Sequence, residues 1–469
     1  MTTTAQVTKG VRRTAALLVL SLVHFMLVLD DSVVNVALAT LRDDLGFGTA
    51  GLAWVVNAYF LAFGALLLVG GRAADLLGRR AVFLAGVALF GAASLLCGLA
   101  REPWQLVAGR FAQGTGAALA SPAAMSLITL MYPAPGERAK AMGVWGAVAA
   151  LGGTTGLMVS GVVTDLLSWR WVFLINLPIV AVSLLVASRL LPADGRAGRG
   201  RIDVPGALLG TGALLALVHG LLRGAEHGWD AYAVVPLLLA AVLGGAFLAV
   251  EARTADPLVP LAFPARRPRA VALVAALLLT AVFFAMSFLV MLHLQNVLGY
   301  GPLRAGLGYL PYAAGILAGV RLSSWATARY GVRAPLTVSF LVSATGLLML
   351  SGITADSAYP TGIAPGLLVA ALGSGLGFPA LAIAAVADTT ERDAGLAAAL
   401  LGSVQQIGGA VGIAALVGIA AAHGDPAGGG GGPAEAATDG FALAMRVAAG
   451  ALAAGGVLVA AGMPRGRTA

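Results

Sequence analysis

The chain repeats one pattern fourteen times: an apolar stretch of about twenty residues or more, the length a helix needs to cross a bilayer. The stretches run near 15–38, 51–70, 81–100, 104–131, 139–163, 171–191, 204–222, 231–250, 270–294, 304–325, 334–354, 361–386, 394–421 and 440–462. In hydrocarbon the backbone has to satisfy its own polar groups, so each stretch is expected to be a helix. Residues are 59% hydrophobic and 11% charged, against roughly 25% charged in soluble proteins. A single cysteine, Cys97, excludes an intrachain disulfide and a cysteine-built metal cage. The first stretch does not read as a cleaved leader, because it is long and carries Asp30 and Asp31 just before the Ala37-Leu38-Ala39 run.

Lysine and arginine mark the loops that stay in the cytoplasm. With the N-terminus inside, 21 of the 29 basic residues fall in inner segments. Arg42, Arg101, Arg170, Arg223 and Arg304 fall in outer loops, and Arg110, Arg321 and Arg446 within spans. This alternation fits an even number of spans with both termini cytoplasmic. It also accounts for the formal charge of +8, which is therefore assigned to topology and not to nucleic acid. Only Lys9 and Lys140 are lysines, and with 64 glycines the composition suggests GC-rich bacterial coding. Were 204–222 and 231–250 one re-entrant unit, the segment 250–270 would have no natural place. The loops are too short for a separate soluble domain. Gly424–Gly440 reads as a flexible outer loop. It is not a phosphate cradle, because no Gly-Lys-Ser/Thr follows. The glycines of Gly373–Pro379 lie inside a span, where close packing or a bend explains them.

Ionisable residues inside a span are costly, usually face the protein interior and usually mark function. The candidates are Asp30 and Asp31 in the first span, Arg110 in the fourth, Arg321 in the tenth and Arg446 in the last, with His24, His219 and His293 in or near spans. A carboxylate that meets an apolar environment in one conformation and a cation in another can take up a proton and release it. Asp30 is the sharpest candidate, with Arg110, always protonated, as its natural counter-charge. A static buried ion pair is the plain alternative. Asp31 lies about 100° further round the helix. His24 precedes Asp30 by six residues and need not share its face. Arg321 equally marks a span end, or snorkels.

The stretch Gly70–Gly86, GGRAADLLGRRAVFLAG, resembles the G-x-x-x-D-x-x-G-R-[RK] signature of the major facilitator superfamily, with Gly71, Asp75, Gly78, Arg79 and Arg80 matching and Arg72 alongside. Leu106–Ala118, LVAGRFAQGTGAA, resembles the family's arginine motif at Arg110, Gln113, Gly114 and Gly116. LDDSVVNVAL (Leu29–Leu38) is similar to the pattern of the fourteen-helix drug:proton antiporters, with Ser32 replacing threonine. Leu298–Pro311 and Ser403–Ala414 resemble the second half of the same subfamily. One departure stands out in Ala149–Asp165. Gly156 and Gly161 fit the antiporter motif, but Leu157 stands at its proline and Ser160 at a glycine, which removes one cause of a bend.

The resemblance implies an all-α membrane protein of the major facilitator fold. Residues 1–14 would be a cytoplasmic segment, 15–191 and 270–462 two six-helix bundles, 204–250 two linking transmembrane helices and 463–469 a cytoplasmic tail. It implies a proton-coupled exporter of hydrophobic or cationic small molecules such as drugs or antibiotics, working by alternating access. The setting would be a bacterial cytoplasmic membrane, the protein a monomer, with no cofactor beyond the coupling proton. Asp30, Arg110 and Asp31 would couple the proton. Gly71, Arg72, Asp75, Gly78, Arg79 and Arg80 would form a conformational latch, with Asp75 near the N-terminus of span 13 and the arginines on inner-loop acids. Gly152, Gly156 and Gly161 would belong to a gating helix. Asn35, Trp54, Tyr59, Gln113, Phe284, Met291, Gln295 and Gln405 are candidate substrate contacts, though helix packing and interhelical hydrogen bonds account for such residues equally well. Met286, Phe288 and Gln406 are further candidates of the same kind.

The departure at Leu157 keeps open a second reading, a major facilitator transporter of another metabolite without drug efflux. An enzyme would need a nucleophile–base pair or a metal cluster at mid-membrane, and the histidines have no such spacing. No Walker loop supports an ATP-driven pump, and no repeated filter motif supports a channel.

Overall fold

The computed structural model describes residues 2–192, 202–387, 389, 393–423 and 432–464. The basic residues Arg196, Arg199, Arg201, Arg392, Arg465 and Arg467, and residues 424–431 of the glycine-rich loop, lie outside the described residues. The helices run in order as α1 (Thr2–Leu45), α2 (Thr49–Leu77), α3 (Arg79–Gly98), α4 (Pro103–Met131), α5 (Pro135–Leu166), α6 (Trp171–Leu174), α7 (Asn176–Leu190), α8 (Val204–His227), α9 (Ala231–Glu251), α10 (Arg267–Leu292), α11 (Pro302–Leu307), α12 (Leu310–Tyr330), α13 (Arg333–Leu350), α14 (Ala364–Val386), α15 (Ala394–His423) and α16 (Pro433–Gly462). Short π-helical turns, His293–Val297 and Tyr359–Ile363, extend α10 and precede α14. Among the described residues there is no strand.

Local chemistry sets many of the ends. Glu102 and Gln105 form a capping box at the start of α4, with Pro103 at its first position. Asp203 caps α8 by accepting from the Gly206 amide at 2.9 Å, and Asp230 caps α9 by accepting from Ala233 at 3.0 Å. Pro433 starts α16 seven residues before the expected span, so the second part of the expected loop Gly424–Gly440 is helical instead.

Thirteen helical stretches among the described residues are long and apolar enough to cross a bilayer. The stretch expected near 304–325 is the exception. It divides into α11 and α12, and Gly315, Gly319, Arg321, Ser323 and Ser324 dilute the apolar run of α12. Similarly, the stretch at 171–191 divides at Ile175 into α6 and α7.

The helices form two sets with the same internal pairing. In the first set α1 packs on α5 and α7, α4 on α2 and α3, and α3 on α7. In the second, α10 packs on α15 and α16, α14 on α12 and α13, and α13 on α16. Replacing each helix by its counterpart converts one list into the other, as an internal structural repeat requires. The contacts between the sets exchange in the same way: α2 meets α15, and α5 meets α11. Helices α8 and α9 pack on each other, and α8 reaches α2 and α15. Leu208, Val235, Leu238 and Val242 of this pair are exposed, as a lipid-facing surface demands.

Close approach depends on glycine. A β-carbon on Gly70 would fall on the Ala118 carbonyl of α4, and one on Gly412 would fall on the Ala281 carbonyl of α10. In lipid no hydrophobic force draws helices together, so such small-residue contacts carry the packing.

Candidate functional site

Helix α1 buries its middle among α2, α4, α5 and α7. Asp30 is 0% exposed and Arg110 of α4 is 1% exposed, and the two form an ion pair. The same carboxylate accepts from the Asn176 amide of α7 at 2.8 Å and from the Gln113 amide of α4 at 3.2 Å. Arg110 also donates to the Val55 carbonyl of α2 and to Gln113 Oε1, each at 3.0 Å, and lies 4.4 Å from the Tyr59 ring centre. Ser94 of α3 accepts from Gln113 at 2.8 Å. Thus α1, α2, α3, α4 and α7 meet at one polar cluster, and the acid is held by three donors. A buried ion pair is tolerable only when further hydrogen bonds satisfy its remaining valences, and here they do.

Asp31 points elsewhere. Its carboxylate faces Tyr59 of α2 and Gln406 of α15, and its Oδ1 is buried with no hydrogen-bond partner. Asn35, one turn on, is 7% exposed and its Oδ1 is also unpartnered. His24 lies seven residues before Asp31, two turns away on the same face, and stacks on Trp145 of α5 with ring centres 3.9 Å apart. Although His24 need not share a face with Asp30, it does share one with Asp31.

The glycines of α5 sit at its contacts. A β-carbon on Gly152 would meet the Phe25 carbonyl of α1 at 3.0 Å, one on Gly156 the Leu29 carbonyl at 3.0 Å, and one on Gly161 the Pro302 carbonyl at 2.9 Å. Ser160, standing where the motif has glycine, donates to the Val33 carbonyl of α1. Leu157, at the proline position, is 6% exposed, and its carbonyl faces Gly306 of α11. Helix α5 therefore grips α1 with one side and α11 with the other.

The near end of the molecule, where α1 begins and α16 finishes, holds the 71–80 loop. Asp75 pairs with Arg79 of its own loop at 3.8 Å, Arg72 with Asp256 of the α9–α10 connection at 3.5 Å, and Arg80 donates to the Ser188 carbonyl of α7. Gly78 joins α2 to α3 at φ 100°, a conformation that only glycine adopts without strain. Gly71 approaches Pro122 of α4. In this conformation Asp75 is engaged within its own loop. Arg72 does reach an acid beyond its loop. At the far end the two sets are joined by Gln295, which donates to the Val36 carbonyl at 2.7 Å, and by Arg42, which donates to Asn296 at 3.2 Å.

The remaining candidates scatter. Gln113 is fully committed to the Asp30 cluster. Phe284 of α10 stacks across the seam on Phe60 of α2, ring centres 4.6 Å apart, and on Phe283, which touches Phe378 and Tyr312. Met291 is fully buried in the core. Trp54 lies 6.2 Å from His219 and lines a separate apolar far-end cleft of about 740 Å³ with Phe47, Trp104, Phe111 and Leu215. Gln406, not Gln405, faces Asp31. Arg321 is exposed, and Arg446 reaches the Ser351 carbonyl at 3.5 Å. The sequence reading missed Asn176 and Ser94; its only available signal was a polar side chain inside an apolar stretch. Among the described residues, no group of three or more His, Cys, Asp or Glu side chains is placed to hold a metal.

Two matching six-helix sets, each too apolar for water and meeting along a seam with buried charge beside it, define a multi-pass membrane transporter of the two-repeat type. The chain belongs to the Major Facilitator Superfamily, whose family model matches residues 20–413. Members of this family are transporters and not enzymes. The puromycin resistance protein of Streptomyces alboniger is 40% identical over 410 residues, 86% of this chain and 81% of that protein. The cephamycin export protein of Amycolatopsis lactamdurans is 40% identical over 426 residues, 88% and 86% of the two chains. A crystal structure of the peptide transporter POT in complex with sulfate superposes with a TM-score of 0.68 at 15% identity, covering 95% of this chain and 94% of that one; it bears on the fold alone.

Proposed function

We propose that this protein exports hydrophobic or cationic small molecules, antibiotics among them, across a bacterial cytoplasmic membrane in exchange for protons. It works as a monomer by alternating access of the seam between the two six-helix sets. The resistance and export proteins it resembles support the substrate class, and the alternation of basic loops supports placing the near end in the cytoplasm. One observation carries the coupling: a carboxylate and a guanidinium, both buried, sit together within a transporter's first six-helix set.

In this reading Asp30 is ionised while Arg110, Gln113 and Asn176 hold it. A proton reaching Asp30 from outside releases Arg110 and loosens the cluster that ties α1 to α4 and α7. Substrate can drive the exchange only if it binds the two conformations unequally, so proton and substrate act on the same equilibrium. Gln295, Asn296 and the α5–α11 contact close the far end, so the conformation described is the one in which the outer path is sealed.

The test is transport of puromycin and lincomycin in proteoliposomes under an imposed pH gradient, comparing wild type with Asp30→Asn. Gradient-driven transport by the wild type, abolished in the variant, is the expected result. If the variant still uses the gradient, Asp30 is not the proton carrier. If wild type moves neither compound, the exporter reading gives way to transport of another metabolite.

A further inference from the structure

Helix α12 carries positive charge that its own part of the chain does not answer. Residues 257–355 contain no aspartate or glutamate, yet they include Arg321, Arg329 and Arg333. Among the described residues none of these three arginines forms an ion pair. Helix α12 packs on α14 through Gly315 and Gly319, where a β-carbon would fall on the Leu368 and Leu372 carbonyls. The opposite face presents Leu310, Leu317, Arg321 and Trp325, spaced to lie on one side of the helix and all exposed. The counterpart helix α2 has its outward side covered by α8, with Trp54 6.2 Å from His219. Neither linking helix packs in this way on α12 among the described residues.

Depth makes the bare charge costly. Trp325 and Tyr330 are exposed at the near end of α12 with ring centres 5.8 Å apart, and such rings settle at the headgroup level of a bilayer. Arg321 lies one turn from Trp325 on the hydrocarbon side, about 6 Å deeper. Helix α12 runs from the far end to the near end, and side chains leave a helix tilted towards its N-terminus. The stem of Arg321 therefore departs away from the water of the near end, and a cation at that depth calls for a partner. Arg329 follows two turns nearer the surface, its guanidinium 5.7 Å from the Tyr330 ring centre, and Arg333 opens α13.

We propose that this face of α12 binds an anionic phospholipid of the near-end leaflet, its phosphate held by Arg321 and Arg329 and an acyl chain laid along Leu317 and Leu310. Arginine meets phosphate with paired, charge-assisted hydrogen bonds. The two arginines are about 12 Å apart along the axis, with Trp325 between them, so a headgroup at the level of that ring lies within reach of both. A headgroup without an amine is favoured, because the ammonium of a zwitterionic lipid would face a cluster of unpaired cations. A second copy of the chain fits this face poorly, since a two-fold contact would set the arginine stripe against itself.

The experiment places the purified full-length protein in phosphatidylcholine bilayers and titrates in brominated phosphatidylglycerol or brominated phosphatidylcholine. Bromine quenches a tryptophan that it touches, and the difference between wild type and Trp325→Phe isolates the signal of Trp325. Brominated phosphatidylglycerol is expected to quench it at an about tenfold lower mole fraction, the preference that two interfacial arginines supply. Arg321→Gln/Arg329→Gln should bring that preference within about twofold, while phosphatidylcholine still quenches Trp325 and so reports an intact, lipid-facing helix. Arg321→Lys/Arg329→Lys, which keeps the charges, should retain most of the preference. Arg253 and Arg266 are exposed at the same end, and Arg253→Gln/Arg266→Gln, which removes as much charge elsewhere, should leave the preference in place. The proposal is overturned if wild type shows no preference for phosphatidylglycerol, or if Arg321→Gln/Arg329→Gln keeps it. It is also overturned if Arg253→Gln/Arg266→Gln abolishes the preference equally, if Arg321→Lys/Arg329→Lys loses as much as the glutamine variant, or if neither lipid quenches Trp325, which would mean that protein covers the face.

Discussion

Replacing Arg110 with alanine removes more than a charge. Asp30 would keep only its bonds from Asn176 at 2.8 Å and Gln113 at 3.2 Å, in a site 0% exposed. Breaking a buried pair by deleting one partner costs about 3–5 kcal/mol, because the other charge stays behind without compensation. Asp30→Asn should cost a similar amount by stranding the guanidinium. The double variant Asp30→Asn/Arg110→Met removes both charges at similar volume, and such replacements are often neutral or stabilising. We therefore expect two damaging single changes and a double variant within about 1 kcal/mol of wild type. The assay is reversible unfolding in mixed micelles, followed by tryptophan fluorescence, across the four proteins of the cycle. A single substitution costing under about 1 kcal/mol, the range of exposed pairs, would refute the reasoning, and so would a double variant as unstable as the sum of the singles. A stable double variant that no longer transports would show that the pair is kept for switching, since the fold could do without it.

Two further outcomes follow from the contacts between helices. Gln295→Ala removes the bond to the Val36 carbonyl, worth about 1 kcal/mol; a cysteine at Ser32 in a Cys97→Ser background should then react roughly fivefold faster with an impermeant thiol reagent from the far end, and an unchanged rate would mean that this bond does not hold the seam shut. Gly70→Val drives a branched side chain into the Ala118 carbonyl and should cost about 1–3 kcal/mol or more as overpacking, read as a lower unfolding midpoint; a midpoint equal to wild type would contradict the α2–α4 spacing.

Span number and order were legible because hydrocarbon imposes one rule on every segment, a helix of sufficient length. The rule says little where polar residues are frequent. Gly315, Gly319, Arg321 and the two serines blur α12, and nothing in the run 171–191 marks the break at Ile175. Asp30, Arg110 and Gln113 were recognisable as charged or polar groups that lipid would reject, and they do converge. Asn176 was not, because one amide at the start of an apolar stretch has no meaning until α7 is laid beside α1. The stripe of His24, Asp31 and Asn35 was within reach of the sequence, since spacings of seven and four place them on one face. Trp54 and Met291 show the opposite limit. An aromatic or methionine in an apolar helix carries no sign of which neighbour it will face, and these two turned to a separate cleft and to the core.

Under the proposed coupling, helix α1 gives a route by which protonation of the buried acid would reach the far end. Asp30, Val33 and Val36 follow at intervals of three residues, a span of about 9 Å along the axis. The first is held by the ion pair, the second accepts from Ser160 of α5, and the third accepts from Gln295 of the opposite set. The helix is rigid over that distance, so freeing its middle from α4 and α7 lets it tilt as a unit, which strains both carbonyl contacts at once. Two such bonds are worth about 2 kcal/mol together, a bias of roughly thirtyfold between sealed and open far ends. That is large enough for one protonation to tip the balance and small enough for it to return. Ser160 in place of glycine fits this scheme, because its hydroxyl ties α5 to α1 close to Leu157, which stands where a proline would otherwise bend the helix.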